Sequence, residues 1–190
     1  MRVIAGKARS LPLKAVEGLG TRPTTDRIKE TLFNMLQGDI PGCRFLDLYA
    51  GSGAIGIEAL SRGAKEAVFV DNSKQAVEVI KQNLAFTKLT NDGSCVAEVM
   101  DKDALTAIRL LNGKGVFDIV FMDPPYNNDY EYEVLKSLKQ SDIIDEYSII
   151  IIEEAIGCGL DYIDDCGFEM IKVKNYKTNK HIFLKMKGSE

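Results

Sequence analysis

The chain has 190 residues, 45% of them apolar and 27% charged, with a formal net charge of −4. That length fits one domain with a small appendage, and the apolar fraction is ordinary for a soluble globular protein. No apolar stretch approaches a membrane span, and no apolar signal region opens the chain, so a cytoplasmic protein is expected.

The charge is unevenly spread. Residues 1–30 carry +4, residues 170–190 carry +5, and the stretch between them carries −13. Two basic ends on an acidic body suit phosphate contacts better than the net charge suggests; solubilising termini are the alternative. Arg2, Lys7, Arg9, Lys14 and Arg22 lie among small and apolar residues and are the candidate contacts to a nucleic-acid backbone.

Residues 2–6 and 10–14 read as two short strands around Gly6-Lys7-Ala8-Arg9, followed by a Gly-rich connection at Gly18-Leu19-Gly20. Thr24 or Thr25 can cap a helix to about Leu36, with Asp26 in its first turn and Ile28, Leu32, Met35 and Leu36 on one face. Gly38 and Pro41-Gly42 break the pattern, which divides the chain into a basic extension, residues 1–40, and a main domain, residues 41–190. From Arg44 onward strands are predicted near 44–48, 67–71, 95–99, 117–122 and 147–153. Helices are predicted near 54–62, 73–86, 103–111, 129–139 and 156–165. Alternation of this kind implies a mostly parallel α/β sheet covered on both faces. Residues 168–173 and 181–186 read as a closing antiparallel hairpin.

Cys43, Cys95, Cys158 and Cys166 show no metal-ligand spacing and are expected to be reduced thiols. The single histidine, His181, is expected to be a partly exposed strand residue. Metal clusters and Ser-His-Asp chemistry are therefore not expected.

Two motifs carry the chemistry. The first is Asp47-Leu48-Tyr49-Ala50-Gly51-Ser52-Gly53-Ala54-Ile55-Gly56, where a strand turns on glycines into a helix. Its backbone can approach a ligand closely, and the helix start offers free N–H groups. The next strand ends in Asp71-Asn72, and an acid there can grip both hydroxyls of a ribose. These residues also satisfy the dinucleotide fingerprint of dehydrogenases, G-x-G-x-x-G with an acid 20 residues on. Asp47 speaks against that reading, because a carboxylate beside the loop disfavours a pyrophosphate and suits a cationic amino-acid head group.

The second motif is Asp123-Pro124-Pro125-Tyr126, directly after the apolar run Ile119-Val120-Phe121-Met122. Asp123 can accept hydrogen bonds from an exocyclic amine, and the Pro124 carbonyl offers a second acceptor. The paired rings stiffen the turn, and Tyr126 can stack on a base taken out of its helix. A hydride-transfer site has no need of such a turn.

Together these motifs resemble the S-adenosylmethionine-dependent amino-group methyltransferases. Met1-Arg2-Val3-Ile4-Ala5-Gly6-Lys7, then Arg22 through Asn34, then Asp47 through Ala64, narrow the resemblance to the bacterial 16S ribosomal RNA guanine-N2 methyltransferases. It runs from residue 1 to about residue 127. The chain departs from the family pattern at Tyr176-Lys177-Thr178-Asn179, where a glycine after the tyrosine is expected. The resemblance implies a Rossmann-like, seven-stranded methyltransferase sheet, mostly parallel with the last strand antiparallel, behind a small N-terminal hairpin and helix that contact RNA. It implies S-adenosylmethionine as cofactor and small-subunit ribosomal RNA, as a protein-bound particle, as partner, with neither membrane nor metal involved.

On that basis Ala50, Gly51, Ser52 and Gly53 hold the methionine part of the cofactor and Asp47 faces its amine. Asp71 and Asn72 serve the ribose, and Asp103 with the Ala104 backbone reads the adenine edge in preference to Asp101. Asp123, Pro124, Pro125 and Tyr126 form the catalytic set, while Arg2, Lys7, Arg9, Arg22 and Thr24 meet the RNA. Two other functions stay open: an adenine-N6 methyltransferase acting on DNA or RNA, and a non-catalytic RNA-binding module with a cofactor pocket. Removal of residues 1–20 is expected to leave cofactor affinity little changed, since the proposed pocket is built from residues 47–104.

Overall fold

A computed structural model describes residues 1–16, 25–125 and 130–188. One seven-stranded sheet organises them, with strands β1 (Arg44–Leu48), β2 (Glu66–Asp71), β3 (Val96–Asp101), β4 (Ile119–Met122), β5 (Ile149–Ala155), β6 (Phe168–Asn175) and β7 (Asn179–Met186). Their order is β3-β2-β1-β4-β5-β7-β6. The five strands from β3 to β5 in that order are parallel, while β7 runs antiparallel to both β5 and β6. Chain order reverses between β1 and β4, so the crevice beyond their carboxyl ends is the switch point where such sheets take ligands.

Alternation along each strand sorts the core into two layers. Phe45, Phe69, Ile119, Phe121, Ile151 and Phe183 face α1 (Asp26–Met35), α2 (Ala54–Ser61) and α3 (Lys74–Thr87). Leu46, Leu48, Val70, Val120, Met122 and Ile152 face α4 (Ala104–Leu111), α5 (Tyr130–Lys139) and the short α6 (Tyr162–Asp165). Both faces being covered explains why these strands read as continuous apolar runs. The predicted elements therefore recur within one or two residues, except at two places.

The helix predicted over residues 156–165 is reduced to Tyr162–Asp165. Gly157 and Gly159 weaken helix propensity there. The closing hairpin also competes for this backbone: the Ile156 N–H bonds the Thr178 carbonyl, and the Lys180 ammonium donates to the Cys158 carbonyl at 2.7 Å.

The N-terminal hairpin exists, but its ladder is one bridge, Arg2 to Pro12, rather than two regular strands. The ladder stops there because the Val3 carbonyl takes the Ser10 N–H, while the Leu11 N–H turns back to the Ala8 carbonyl. The chain instead spends its backbone groups on α2. Ile4 and Ala5 donate to the Glu58 carboxylate at 2.8 and 3.0 Å, Lys7 donates to the Ser61 carbonyl, and Ala8 to the Ser61 hydroxyl. Gly6 lies so close to α2 that a β-carbon would sit 1.8 Å from the Ser61 carbonyl oxygen, and its φ of +80° already favours glycine.

Glu58 is fully buried and also pairs with Lys29 of α1 at 3.2 Å and with Arg62 at 2.8 Å. Burial lowers the Lys29 pKa more than Glu58 restores it. This weighs against the expectation that removal of residues 1–20 leaves cofactor affinity little changed. Val3, Ala8 and Leu13 are core residues, and deletion would strip two donors from a buried carboxylate, a change that destabilises strongly.

Among the described residues all four cysteines are free, and no helix is long and apolar enough to cross a membrane.

Candidate active site

The glycine loop begins where β1 ends. Tyr49, Gly51 and Gly53 all have positive φ (+60°, +55° and +76°), which turns the strand sharply into α2. For a tyrosine this is a sparsely populated conformation, held here by its surroundings. The Ala50 N–H bonds the Val70 carbonyl and the Gly53 N–H bonds the Ala50 carbonyl. A β-carbon on Gly51 would meet no atom within 4 Å, so the loop is open above that residue. At Gly56 a β-carbon would fall 2.4 Å from the Phe69 ring, so this glycine serves helix-to-strand packing.

Asp47 lies under the loop, almost fully buried, and accepts the Gly56 N–H at 2.8 Å. Burial pushes its carboxyl up to about 7 against the pull of that hydrogen bond, and the charge of Asp71 adds to the rise. Asp71, at the tip of β2, accepts from Gly51 N–H at 2.8 Å and Ser73 N–H at 2.9 Å. It therefore braces the loop and the start of α3 together. Asn72 beside it is exposed.

Asp103 is exposed and caps α4 by accepting the Thr106 N–H at 2.9 Å, which holds its carboxyl below the usual range. Ala104 is buried directly behind it.

Across the switch point, Leu48 pairs with Met122, so the glycine loop and Asp123 leave adjacent strands side by side. Asp123 is half-buried, Pro124 buried and Pro125 exposed. Burial raises the Asp123 carboxyl well above its ordinary value, and the charges of Glu153, Asp47 and Glu131 raise it further. The rim thus carries a row of carboxyl groups on neighbouring strands, an electrostatic setting that favours a cationic ligand. Tyr126, Arg22 and Thr24 lie outside the described residues; the helix cap falls to Thr25, whose hydroxyl accepts the Ile28 N–H.

A family profile, Cons_hypoth95, described as conserved hypothetical protein 95, matches residues 1–185. The Bacillus subtilis protein YlbH is 40% identical over 154 residues, covering 80% of this chain and 82% of that relative. Ribosomal RNA small subunit methyltransferase D of Haemophilus influenzae is 35% identical over 153 residues, covering 80% and 78%. The chain belongs to the ribosomal RNA small subunit methyltransferase D family. The solved structure of yhhF from Escherichia coli superposes with a TM-score of 0.81 at 28% identity, covering 100% of this chain and 99% of that one.

Within this family member the cations of the basic arm are at the surface. Arg2 pairs with Asp26 at 3.3 Å, Lys7 pairs with Asp92 at 3.3 Å and bonds the Ser94 hydroxyl at 2.8 Å, and Arg9 is exposed. All these pairs are at the surface, where they contribute little and leave the cations available to stronger anions.

Three residues escaped the sequence reading. Asn83, buried on α3, bonds the Ser52 carbonyl at 2.9 Å and both backbone groups of Lys14, which clamps the N-terminal segment against the glycine loop. A lone amide on an apolar helix face was its one signal. Tyr49, inside the loop, tilts against Tyr130 with ring centroids 6.3 Å apart. His181, expected to be partly exposed, is fully buried: Phe121 meets its ring edge-on, and Glu153 and Tyr176 bond its two nitrogens. Its alternating pattern gave the strand correctly; the cover on that face comes from β4, distant in sequence.

Proposed function

We propose that the protein transfers a methyl group from S-adenosylmethionine to the exocyclic N2 of a guanine in small-subunit ribosomal RNA. The observation that carries this reading is the Asp123-Pro124 turn, set beside an open glycine loop at the switch point of a chain with ribosomal RNA methyltransferases among its relatives.

The residues fit the cofactor. Asp47 is a buried carboxyl without full compensation, suited to a cationic amine, and Gly51 leaves the loop open. Asp71 has lone pairs left for ribose hydroxyls, with Asn72 at its side. Asp103 and the Ala104 backbone remain the proposed adenine contacts, on the Asp103 lone pairs not spent on capping. When bound, the cofactor supplies an electrophilic methyl on a cationic sulfur.

Asp123 and the Pro124 carbonyl accept the two N–H bonds of the target amine. This turns the nitrogen lone pair out of the ring's conjugation and toward the cofactor pocket. Alignment of this kind supplies about 7–11 kcal/mol of a bimolecular barrier. The second oxygen of Asp123 is free for guanine N1–H, a donor next to N2, whereas adenine presents an acceptor there. As the nitrogen gains positive charge, an ionised Asp123 stabilises it. Tyr126 stacks on the extruded base, offsetting about 1–3 kcal/mol of the cost of flipping.

The test is labelled methyl transfer onto ribosomal RNA, naked and as small-subunit particles, from cells lacking the enzyme, followed by nucleoside analysis. N2-methylguanosine is expected, with the particle the better substrate; N6-methyladenosine would reject guanine in favour of adenine.

Two further results follow from the same reading. A cationic amine favours ionised Asp47, so cofactor binding below about pH 7 should release a proton. Affinity should then fall by up to about tenfold per pH unit as the pH drops. Calorimetry in buffers of different ionisation enthalpy measures this, and no proton release around that pH would remove Asp47 from the amine. Replacing two of the exposed arm cations, Lys7→Ala with Arg9→Ala, should weaken RNA binding without unfolding the arm. For a single-stranded target the slope of log affinity against log salt should flatten by about 1.4, or 0.7 per contact. An unchanged slope would mean that neither cation meets the RNA.

A further inference from the structure

The glycine loop is pinned on either side of one unspent peptide. The Ala50 carbonyl accepts the Gly53 N–H at 2.7 Å and the Gly51 N–H donates to Asp71 at 2.8 Å, which fixes the peptide between Ala50 and Gly51. The Ser52 carbonyl accepts from Asn83 Nδ2 at 2.9 Å, which together with the Gly53 bond fixes the peptide between Ser52 and Gly53. Between them lie the Gly51 carbonyl and the Ser52 N–H, neither of which takes a hydrogen bond among the described residues. Gly51 and Gly53, both at positive φ, bring no side chain to hold that peptide, so its orientation depends on the pins.

The pin on Ser52 also reaches the N-terminal arm. Asn83 is 1% exposed, on the buried face of α3 with Ala76, Val77 and Ile80. Its amide nitrogen donates to the Ser52 carbonyl and to the Lys14 carbonyl at 3.0 Å, while its oxygen accepts the Lys14 N–H at 2.9 Å. Both N–H groups and the oxygen are therefore satisfied, and two of the three bonds come from one arm residue. A buried amide that loses such partners is costly, so the side chain reorients or takes up water when they leave. No step of the transfer described above uses Asn83.

We propose that Asn83 is a positioning residue for the methyl donor: it holds the Ser52 peptide in place only while Lys14 is docked on it, so that closing of the arm and binding of the cofactor favour each other. The inference rests on the methyltransferase reading for its ligand. With Lys14 docked, one orientation of the amide serves all three partners and the loop is held. With Lys14 undocked, the amide is short of a donor and an acceptor, and its hold on Ser52 loosens. A ligand that prefers the pinned loop must, by linkage, stabilise the docked arm by the same factor. The arm that bears the candidate RNA contacts is thus docked through the side chain that sets the cofactor loop.

The experiment is amide hydrogen exchange by NMR in the full-length protein without RNA, with and without saturating S-adenosylhomocysteine, whose affinity is measured by calorimetry. The Lys14 N–H should exchange about tenfold more slowly in the complex, as local opening of the arm is suppressed. The Lys187 N–H, bonded to the Gly167 carbonyl at the opposite end of the sheet, should change by less than about twofold. Asn83→Ala should weaken S-adenosylhomocysteine by the same factor of about ten, and its Lys14 exchange should no longer respond to the ligand. A side chain that only stabilised the fold would leave Lys14 exchange indifferent to the ligand in the wild type. Binding with an unmoved Lys14 rate, or an equal slowing at Lys187, overturns the proposal. Should Asn83→Ala not fold, the wild-type exchange decides it. A protein that bound no S-adenosylhomocysteine would remove the methyltransferase reading and this proposal together, whereas failure to methylate guanine would count against the function alone.

Discussion

Asp123→Ala should lower methyl transfer by about 10³-fold or more while leaving cofactor affinity within about twofold of wild type. The asymmetry follows from position. Asp123 stands at the end of β4, whereas the glycine loop, Asp71 and the start of α3 are bonded to one another across β1 and β2. Alanine removes the acceptor that orients the amine and leaves the loop untouched. It also deletes a carboxyl that burial and three neighbouring acids make costly to ionise, so the variant should fold at least as well as wild type. Asp123→Asn keeps an amide oxygen for the N2 amine but meets guanine N1–H with a donor. It should therefore retain transfer at about 10- to 100-fold below wild type. Single-turnover rates at saturating cofactor make the comparison. If Asn were as inactive as Ala, Asp123 would have to accept a proton from the amine, a role beyond orienting it.

Asp71→Ala should weaken cofactor binding by about 2–4 kcal/mol, because two charge-assisted hydrogen bonds to the ribose disappear. The carboxylate also holds the Gly51 and Ser73 N–H groups, so part of the loss is a looser loop. Asp71→Asn separates the two effects: its amide oxygen can still brace one N–H, but it cannot accept from two hydroxyls as a carboxylate does. An affinity for Asn close to that of Ala assigns the loss to the ribose, and an affinity close to wild type assigns it to the loop. An unchanged dissociation constant in Asp71→Ala, measured by calorimetry, contradicts the ribose contact outright.

How much of this was legible in the sequence depended on the range of the contacts. The parallel part of the sheet could be read because β1, β2, β4 and β5 are largely apolar runs, while the reversed last strand was implied by the family resemblance. Asp71, Asp103 and Asp123 each mark the point where a strand gives out, and Gly51, Gly53 and Gly56 mark the turn into α2. Asp103 shows the limit of such reading, since capping α4 is enough to explain an acid there. What stayed hidden depended on partners distant in the chain. His181 is buried because Glu153 of the neighbouring β5 and Phe121 of β4 meet its ring, and the arm is tied to α2 because Glu58, more than fifty residues away, takes its N–H groups. Asn83 joins residues 14 and 52 through a single side chain. Periodicity carries no information about such long-range polar contacts, because one polar residue at an apolar position looks the same whether it is buried or merely tolerated.

The central claim is that one crevice, between the β1 loop and the end of β4, holds both the methyl donor and the amine. A crystal structure of the protein with S-adenosylhomocysteine tests it most directly. The account predicts ribose hydroxyls on Asp71, the methionine backbone along Ala50 to Gly53 with its amine toward Asp47, and the thioether sulfur turned to the space beside Asp123 and the Pro124 carbonyl. A nucleoside bound with its sulfur facing away from Asp123, or seated outside the glycine loop, would contradict it.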